Sequence, residues 1–368
     1  MIFKDIFDKY IWEDVKKSIY SKTVKDVEEA LSKNYRDLED FKALISPAAL
    51  PLLESMAKLS NKYTQERFGK VISMYEPVYL SNYCNNSCVY CGFNHKNNID
   101  RKILSDEEIL KEIKTIKSFG YDHILVVTGE SNKSNIEYLK NAVKLIRPYF
   151  SQISIEVQPL DQQEYEQLIN EGLYAVLLYQ ETFNKNNYKI YHPAGKKSDF
   201  NYRLETHDRL GKAGVNKMGL GVLLGLEDWR TDSFFVALHL QYLEKQYWKT
   251  KYSISFPRLR PAKGIINLAN PVSDRELAQL ICAYRIFNKE VELSISTREN
   301  QNFRDNVLKL GITSISAGSK TNPGGYSISD KSLEQFEISD NRSPSEIADL
   351  IKLQGYEPVW KDWEKVFN

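Results

Sequence analysis

The sequence predicts an α/β protein built around one closed (β/α)8 barrel. Short apolar runs rich in β-branched residues alternate eight times with longer stretches of helical periodicity. Such alternation implies parallel strands with helices outside, and eight of them are enough to close. At 368 residues the chain is long enough for one such barrel with extensions at both ends. A third observation marks where chemistry lies. Three of the four cysteines fall in Cys84-Asn85-Asn86-Ser87-Cys88-Val89-Tyr90-Cys91, directly after the first strand.

Residues 1–75 read as an N-terminal helical extension. Ile2, Ile6, Tyr10 and Ile11 share one helical face, and Val24, Val27 and Leu31 another. Ser46-Pro47 reads as a helix start, with proline at the first position and serine before it. After a turn at Gly69, residues 77–82 form the first strand of a barrel spanning 76–318. Helix 106–119 leads to strand 123–128, helix 135–147 to strand 152–157, and helix 162–171 to strand 174–179. Helix 202–213 precedes strand 217–223, helix 232–247 precedes 252–256, and helix 274–287 precedes 291–295. A short helix, 303–310, leads into the last strand, 313–316. Residues 319–368 form a C-terminal extension of loops and at least one helix, packed on the barrel.

Composition narrows the function classes. Lys and Arg number 50 against 49 Asp and Glu, so no electrostatic argument favours nucleic acid or an anionic membrane as a partner. No apolar run reaches ~18 residues, so no membrane-spanning helix is expected. The N-terminus runs straight into charged, helix-spaced sequence rather than a signal peptide, and a cytoplasmic location is expected.

The cysteine spacing is C-x3-C-x2-C. Thiolates are soft ligands for iron–sulfur clusters or zinc. Three on a short loop can each grip one iron of a [4Fe-4S] cube and leave the fourth corner open. The competing reading is a zinc knuckle, with His95 as fourth ligand to Cys84, Cys88 and Cys91, in a zinc-stabilised binding module. A disulfide framework is a poorer match, because three clustered cysteines leave one odd. Cys282 lies mid-helix and reads as core.

C-x3-C-x2-C followed by Gly92-Phe93 resembles the radical S-adenosylmethionine (radical SAM) superfamily. The flanks, from Ile45-Ser46-Pro47-Ala48-Ala49-Leu50 through Tyr356-Glu357-Pro358-Val359-Trp360-Lys361-Asp362-Trp363, look like its branch of tyrosine lyases in thiamine thiazole synthesis, the 2-iminoacetate synthases. The similar segments cover most of the chain. The resemblance implies a TIM-type barrel of the radical SAM kind, a [4Fe-4S] cluster on Cys84, Cys88 and Cys91, and S-adenosyl-L-methionine at its open iron.

In such barrels the site lies at the C-terminal ends of the strands. Tyr90 sits where the superfamily places an aromatic against adenine; core packing is the alternative. Gly129-Glu130, after the second strand, resembles the motif that holds the S-adenosylmethionine amino group. Glu156, Gln180 and Glu181, at the third and fourth strand ends, are candidates for ribose or an amino acid, with structural hydrogen bonding as the equal alternative. Arg203 resembles the partner of the S-adenosylmethionine carboxylate. Gly221 and Gly225, in Gly221-Val222-Leu223-Leu224-Gly225-Leu226-Glu227, resemble the strand that packs along adenine and ribose. Arg258, Arg260 and Arg298 reach the barrel mouth. By similarity to aromatic amino acid lyases, Arg298 with Ser316 holds the substrate carboxylate, and one of Arg258 and Arg260 is expected to form an ion pair with acidic loop residues instead. His192 reads as a structural loop histidine, with a proton donor as the alternative.

The implied reaction cleaves the Cα–Cβ bond of L-tyrosine to 2-iminoacetate and 4-cresol, while S-adenosylmethionine becomes 5′-deoxyadenosine and methionine. Implied partners are a thiazole synthase and an electron donor such as flavodoxin or ferredoxin. A tryptophan lyase of the same fold differs mainly in its ring pocket. The tyrosine-cleaving maturase of [FeFe] hydrogenase carries a second cluster on further cysteines, and here no cysteine follows Cys282. Replacing Cys84, Cys88 or Cys91 by alanine is expected to abolish the visible absorbance of a reconstituted cluster, and Cys282→Ala to spare it. Loss of that absorbance in folded Cys282→Ala protein would defeat the assignment.

Overall fold

The computed structural model describes residues 2–261, 270–327 and 334–361, so Asp362 and Trp363 of the terminal motif lie outside the described residues. Eight parallel strands close a barrel: β1 (Val71–Ser81), β2 (His123–Thr128), β3 (Gln152–Glu156), β4 (Ala175–Leu177), β5 (Lys217–Gly221), β6 (Lys251–Ser255), β7 (Glu292–Ile295) and β8 (Ser314–Ser316). Closure runs through β1, whose residues pair with β2 on one side (Val78↔Val126) and β8 on the other (Met74↔Ile315). The strands are the predicted apolar runs because each needs burial on both faces, toward the barrel interior and toward the helices.

Four details depart from the sequence reading. The first strand begins at Val71, not at residue 77, because Ser73 and Glu76 make its first half look polar. The helix expected over 202–213 is two helices, Phe200–Leu204 and Thr206–Ala213, joined at Glu205. Ser46-Pro47 opens a 3-10 turn, Pro47–Leu52, containing Pro51, before the α-helix Leu53–Phe68. In the first helix the buried residues are Phe3 and Phe7, while Ile11 is 65% exposed. Phe3 prevails because its ring stacks on His239 at 3.7 Å and its backbone N–H donates to buried Asp208 at 3.0 Å.

Helix starts are written in the sequence. Ser105 with Glu108, Ser273 with Glu276 and Ser343 with Glu346 form reciprocal capping boxes. They open the helices Asp106–Ser118, Asp274–Phe287 and Pro344–Leu353. The last of these is the helix expected in the C-terminal extension. That extension also supplies a strand, β9 (Glu357–Val359), which pairs with the start of β1 through Val71↔Glu357.

Two buried carboxylates tie the extension to the barrel wall. Glu112 accepts from the backbone N–H groups of Tyr326 (3.1 Å) and Ser327 (2.7 Å). Glu76, fully buried on β1, accepts from the Tyr326 hydroxyl at 2.6 Å. Further along, Asp340 pairs with Arg304, both side chains fully buried, and with Arg342 at 2.7 Å. Burial alone would raise the Asp340 carboxyl, but Arg342 and Arg304 outweigh it and hold it below the usual range.

Burial pushes the Glu76 carboxyl up to about 8. A raised carboxyl favours the folded state while protonated. Its contribution is fully present below the unfolded value of ~4.3 and is lost as pH rises through about 8. Glu76→Gln, which is neutral at every pH, is therefore expected to melt above the parent apoprotein near ~pH 9 and to lose that advantage near ~pH 4. Melting curves that stay parallel across that range would rule out the assignment.

Candidate active site

The C-terminal ends of the strands surround a cavity of about 1540 Å³ of atom-free space, part of it continuous with solvent. Cys84, Cys88 and Cys91 line one wall, and Arg298 and Ser316 line it as well.

The cysteine loop is shaped by polar groups around it. The Asn85 N–H donates to the Glu130 carbonyl at 2.8 Å, and Asn86 Nδ2 to the Glu130 carboxylate at 2.6 Å. From the other side, the Ser87 and Val89 N–H groups donate to the carbonyls of Ala194 and Tyr191, each at 3.1 Å. Gly129 permits this arrangement: a Cβ there would stand 2.4 Å from the Tyr83 carbonyl oxygen and 3.1 Å from Cys84 Cβ. Its glycine thus serves the approach of the cysteine loop.

The donor set fits an open cluster better than a knuckle. His95, the fourth ligand of the zinc reading, has Nδ1 within 2.9 Å of Ser87 Oγ. Among the described residues no three or more His, Cys, Asp and Glu side chains gather as a cage for one ion. Thiolates that each take a different iron stand farther apart than thiolates sharing a single zinc at ~2.3 Å. Burial pushes the Cys88 thiol up to about 12 and raises Cys91 too, so metal binding must draw off protons. The cavity also asks for a polar ligand. Thr128 Oγ1, Gln158 Oε1 and Arg260 Nε belong to lining residues, are buried, and have no hydrogen-bond partner among the described residues.

Beside the cysteine loop sits a charged cluster. Glu181 adopts φ 72°, a left-handed conformation rare for a residue with a side chain. Its carboxylate receives Lys197 Nζ at 2.7 Å and Arg203 Nη2 at 3.3 Å. Arg203 also donates through Nε to the Tyr179 carbonyl at 2.7 Å. Burial would raise the Glu181 carboxyl, but Lys197 and Arg203 hold it below its usual range. Glu156 behaves oppositely. Burial, with the Glu181 charge, pushes its carboxyl up to about 7 despite Arg298. At neutral pH it sits near half-protonation, so a cationic or hydrogen-bonding ligand would decide its state.

Tyr90 lines the cavity, and its hydroxyl lies 2.7 Å from His192 Nε2. His192 is fully buried, and burial pushes its imidazole down to about 3. The ring is therefore neutral, with Nδ1–H donating to the Tyr188 carbonyl at 2.9 Å and Nε2 accepting from Tyr90. A structural histidine, not a proton donor, is what this geometry gives.

Several sequence candidates stand elsewhere. Gln180 is buried beside the cavity without lining it, its amide donating to the Phe200 carbonyl at 3.4 Å. Gly221 and Gly225 also lie off the lining. A Cβ on Gly221 would stand 2.8 Å from the Ser255 carbonyl oxygen, and Gly225 takes φ +115° against Leu259. Both glycines answer to strand packing and a turn rather than to a ligand. Arg258 is turned away from the cavity, donating to Glu299 Oε2 (2.9 Å from Nε), to Asp274 (2.7 Å) and to the Val272 carbonyl (2.9 Å). Arg260 lines the cavity and reaches the same Glu299 at 3.1 Å. Arg298 has its guanidinium 3.4 Å from the centroid of the Phe336 ring, and no carboxylate within ion-pair distance among the described residues. The sequence reading missed Lys197, Gln335 and Phe336, all of which line the cavity. Only the pairing of distant loops brings them there.

Comparison with known proteins identifies the family. The radical SAM superfamily model matches residues 78–235, and the biotin and thiamin synthesis associated domain matches 255–357. The chain is 46% identical over 364 residues to 2-iminoacetate synthase of Escherichia coli (strain K12), covering 98% of this chain and 97% of that protein. The 2-iminoacetate synthase of Salmonella typhimurium is also 46% identical over 364 residues, covering the same shares of each chain. Among solved structures, HydG, a maturase of the [FeFe]-hydrogenase, superimposes with a TM-score of 0.89 at 32% identity, over 95% of this chain and 80% of that one. Methylornithine synthase (PylB) shares the fold at a TM-score of 0.73 and 18% identity, over 91% of this chain and 97% of that one. With a barrel that carries an open cysteine triplet at its mouth and this degree of identity along its whole length, the chain belongs to the 2-iminoacetate synthase family of radical SAM enzymes.

Proposed function

We propose that this chain is a radical SAM lyase that cleaves the Cα–Cβ bond of L-tyrosine, giving 2-iminoacetate and 4-cresol for thiamine thiazole synthesis. The observation that carries the residue assignments is one shared cavity. It holds three cysteines at one wall, a cationic cluster around Glu181 beside them, and an arginine, Arg298, with no carboxylate at ion-pair distance among the described residues. When bound, the [4Fe-4S] cluster and S-adenosylmethionine supply the one-electron cleavage that removes a hydrogen atom from the substrate.

Within that reading Cys84, Cys88 and Cys91 hold three irons. Glu130, braced by Asn86, receives the ammonium of S-adenosylmethionine, and Arg203 its carboxylate. Tyr90, its hydroxyl anchored on His192, offers a ring face to adenine. Arg298 and Ser316 Oγ, which line the same cavity, take the tyrosine carboxylate. Glu156 lines the same cavity, and a substrate ammonium beside it would favour its ionised form against the burial that raises it. The barrel wall and C-terminal extension exclude water, which a reactive radical and a hydrolysable imine both require.

Two partners follow from the same chemistry. The imine product is best handed directly to a thiazole synthase. The electron comes from a flavodoxin or ferredoxin. Support for an acidic donor is that four exposed lysines, Lys96, Lys185, Lys189 and Lys196, stand on the two loops that bond to each other around the cysteines.

The two arginines are expected to fail differently. Losing a bidentate guanidinium–carboxylate pair costs about 2–4 kcal/mol, and lysine restores only a point charge. Arg298→Lys should still form 5′-deoxyadenosine slowly but lose coupled 4-cresol. Arg203→Lys should weaken S-adenosylmethionine binding and lower both products together. The readout is the ratio of 5′-deoxyadenosine to 4-cresol. A parental ratio in Arg298→Lys would move the substrate carboxylate to Arg260, since Arg258 faces away.

A further inference from the structure

Gln335 and Phe336 are neighbours on the C-terminal extension, yet they touch two different functional groups at the barrel mouth. The Gln335 amide is fixed at both ends. Its Oε1 accepts from the Tyr79 hydroxyl at 2.9 Å, and its Nε2 donates toward Cys91 Sγ at 3.7 Å. Its backbone is fixed as well, donating to the Thr321 carbonyl at 2.9 Å and accepting from the Gly92 N–H at 3.1 Å. A Cβ on Gly92 would stand 2.5 Å from the Gln335 carbonyl oxygen, so the residue after the third cysteine is shaped to this contact. One residue on, the Phe336 ring lies 3.4 Å from the Arg298 guanidinium carbon.

We infer that the Gln335–Phe336 step is a positioning element with two separable tasks; the inference rests on the roles proposed above for Cys91 and Arg298. A thiolate on iron keeps negative charge and accepts hydrogen bonds. Donors to cluster sulfurs help set the reduction potential by stabilising the more electron-rich state. Gln335 therefore eases reduction at the Cys91 corner, with Tyr79 holding the amide so that its N–H₂ faces sulfur. Phe336 does a different job. Its face holds the guanidinium in one plane, which aims the fork of Arg298 at an incoming carboxylate.

The tasks separate in two measurements on the full chain with reconstituted cluster. In Gln335→Leu, redox titration followed by electron paramagnetic resonance is expected to show a more negative midpoint. The shift should correspond to about threefold in the reduction equilibrium, or about 28 mV at ~59 mV per decade for one electron. Gln335→Glu, placing a carboxylate beside the sulfur, should move it further the same way. The tyrosine KM should stay at the parental value in Gln335→Leu. In Phe336→Leu the pattern reverses: KM for tyrosine rises about 3- to 30-fold, the span of a lost cation–π contact, at a parental midpoint. A parental midpoint in cluster-loaded Gln335 variants would overturn the tuning task, and a parental KM in Phe336→Leu the aiming task. Should the Gln335 variants fail to load a cluster, Tyr79→Phe decides. It frees the amide without altering Gln335 or Phe336, and an unchanged midpoint there overturns the tuning task. Failure of the parent chain itself to assemble a cluster would instead strike the proposed function.

Discussion

The site depends on how closely the cysteine loop can approach the end of β2. That approach is set by Gly129, where any side chain would collide with the Tyr83 carbonyl. It is held by Glu130, whose carbonyl and carboxylate bond to Asn85 and Asn86. The same Glu130 is the candidate ligand for the S-adenosylmethionine ammonium. One dipeptide thus fixes the metal loop and presents a carboxylate beside it, so ligand geometry and loop geometry are not independent. On the far side the loop 188–197 repeats the arrangement with Tyr191, Ala194 and Lys197, which donates its backbone N–H to Asn86 Oδ1 at 3.0 Å.

Electrostatics inside the cavity divide into a settled half and an open half. Lys197 and Arg203 compensate the charge of Glu181 with one positive charge to spare, at the cost of a left-handed backbone at Glu181. Arg258 and Glu299 pair outside the cavity. Glu156 and Arg298 have no such closure. Unpaired polar groups in a buried place are costly, and a ligand that pairs them gains what the protein forgoes. The imbalance points to where an amino acid, with one cationic and one anionic group, belongs.

Much of this was legible in the sequence, and the gaps have physical causes. The eight strands were visible because burial on both faces demands uninterrupted apolar runs. The cysteine triplet was visible because its ligands are local. Lys197 was not, since it reaches the site only through the pairing of its loop with Asn86. Gln335 meets Cys91 across 244 positions, and no periodicity encodes such a meeting. Gly221 and Gly225 misled in a different way. A glycine at a strand end looks the same in sequence whether a ligand or a neighbouring strand comes close, and here Ser255 and Leu259 do. Resemblance alone set Arg298 apart from Arg258 in sequence; in the structure Arg258 is taken up by Glu299 and Asp274.

The position of β1 has a consequence for the order in which the molecule is made. This strand appears early in synthesis, but its partners β8 and β9 and the Tyr326 bond to Glu76, 250 positions away, come from the far end of the chain. Pairings of such long range form late, because loop closure must precede any gain from them. A nascent chain therefore carries its cysteine loop before the barrel can close and before Gln335 can cover the third cysteine. The thiols stay uncovered until the segment around Gln335, which lies over the third cysteine, has been made.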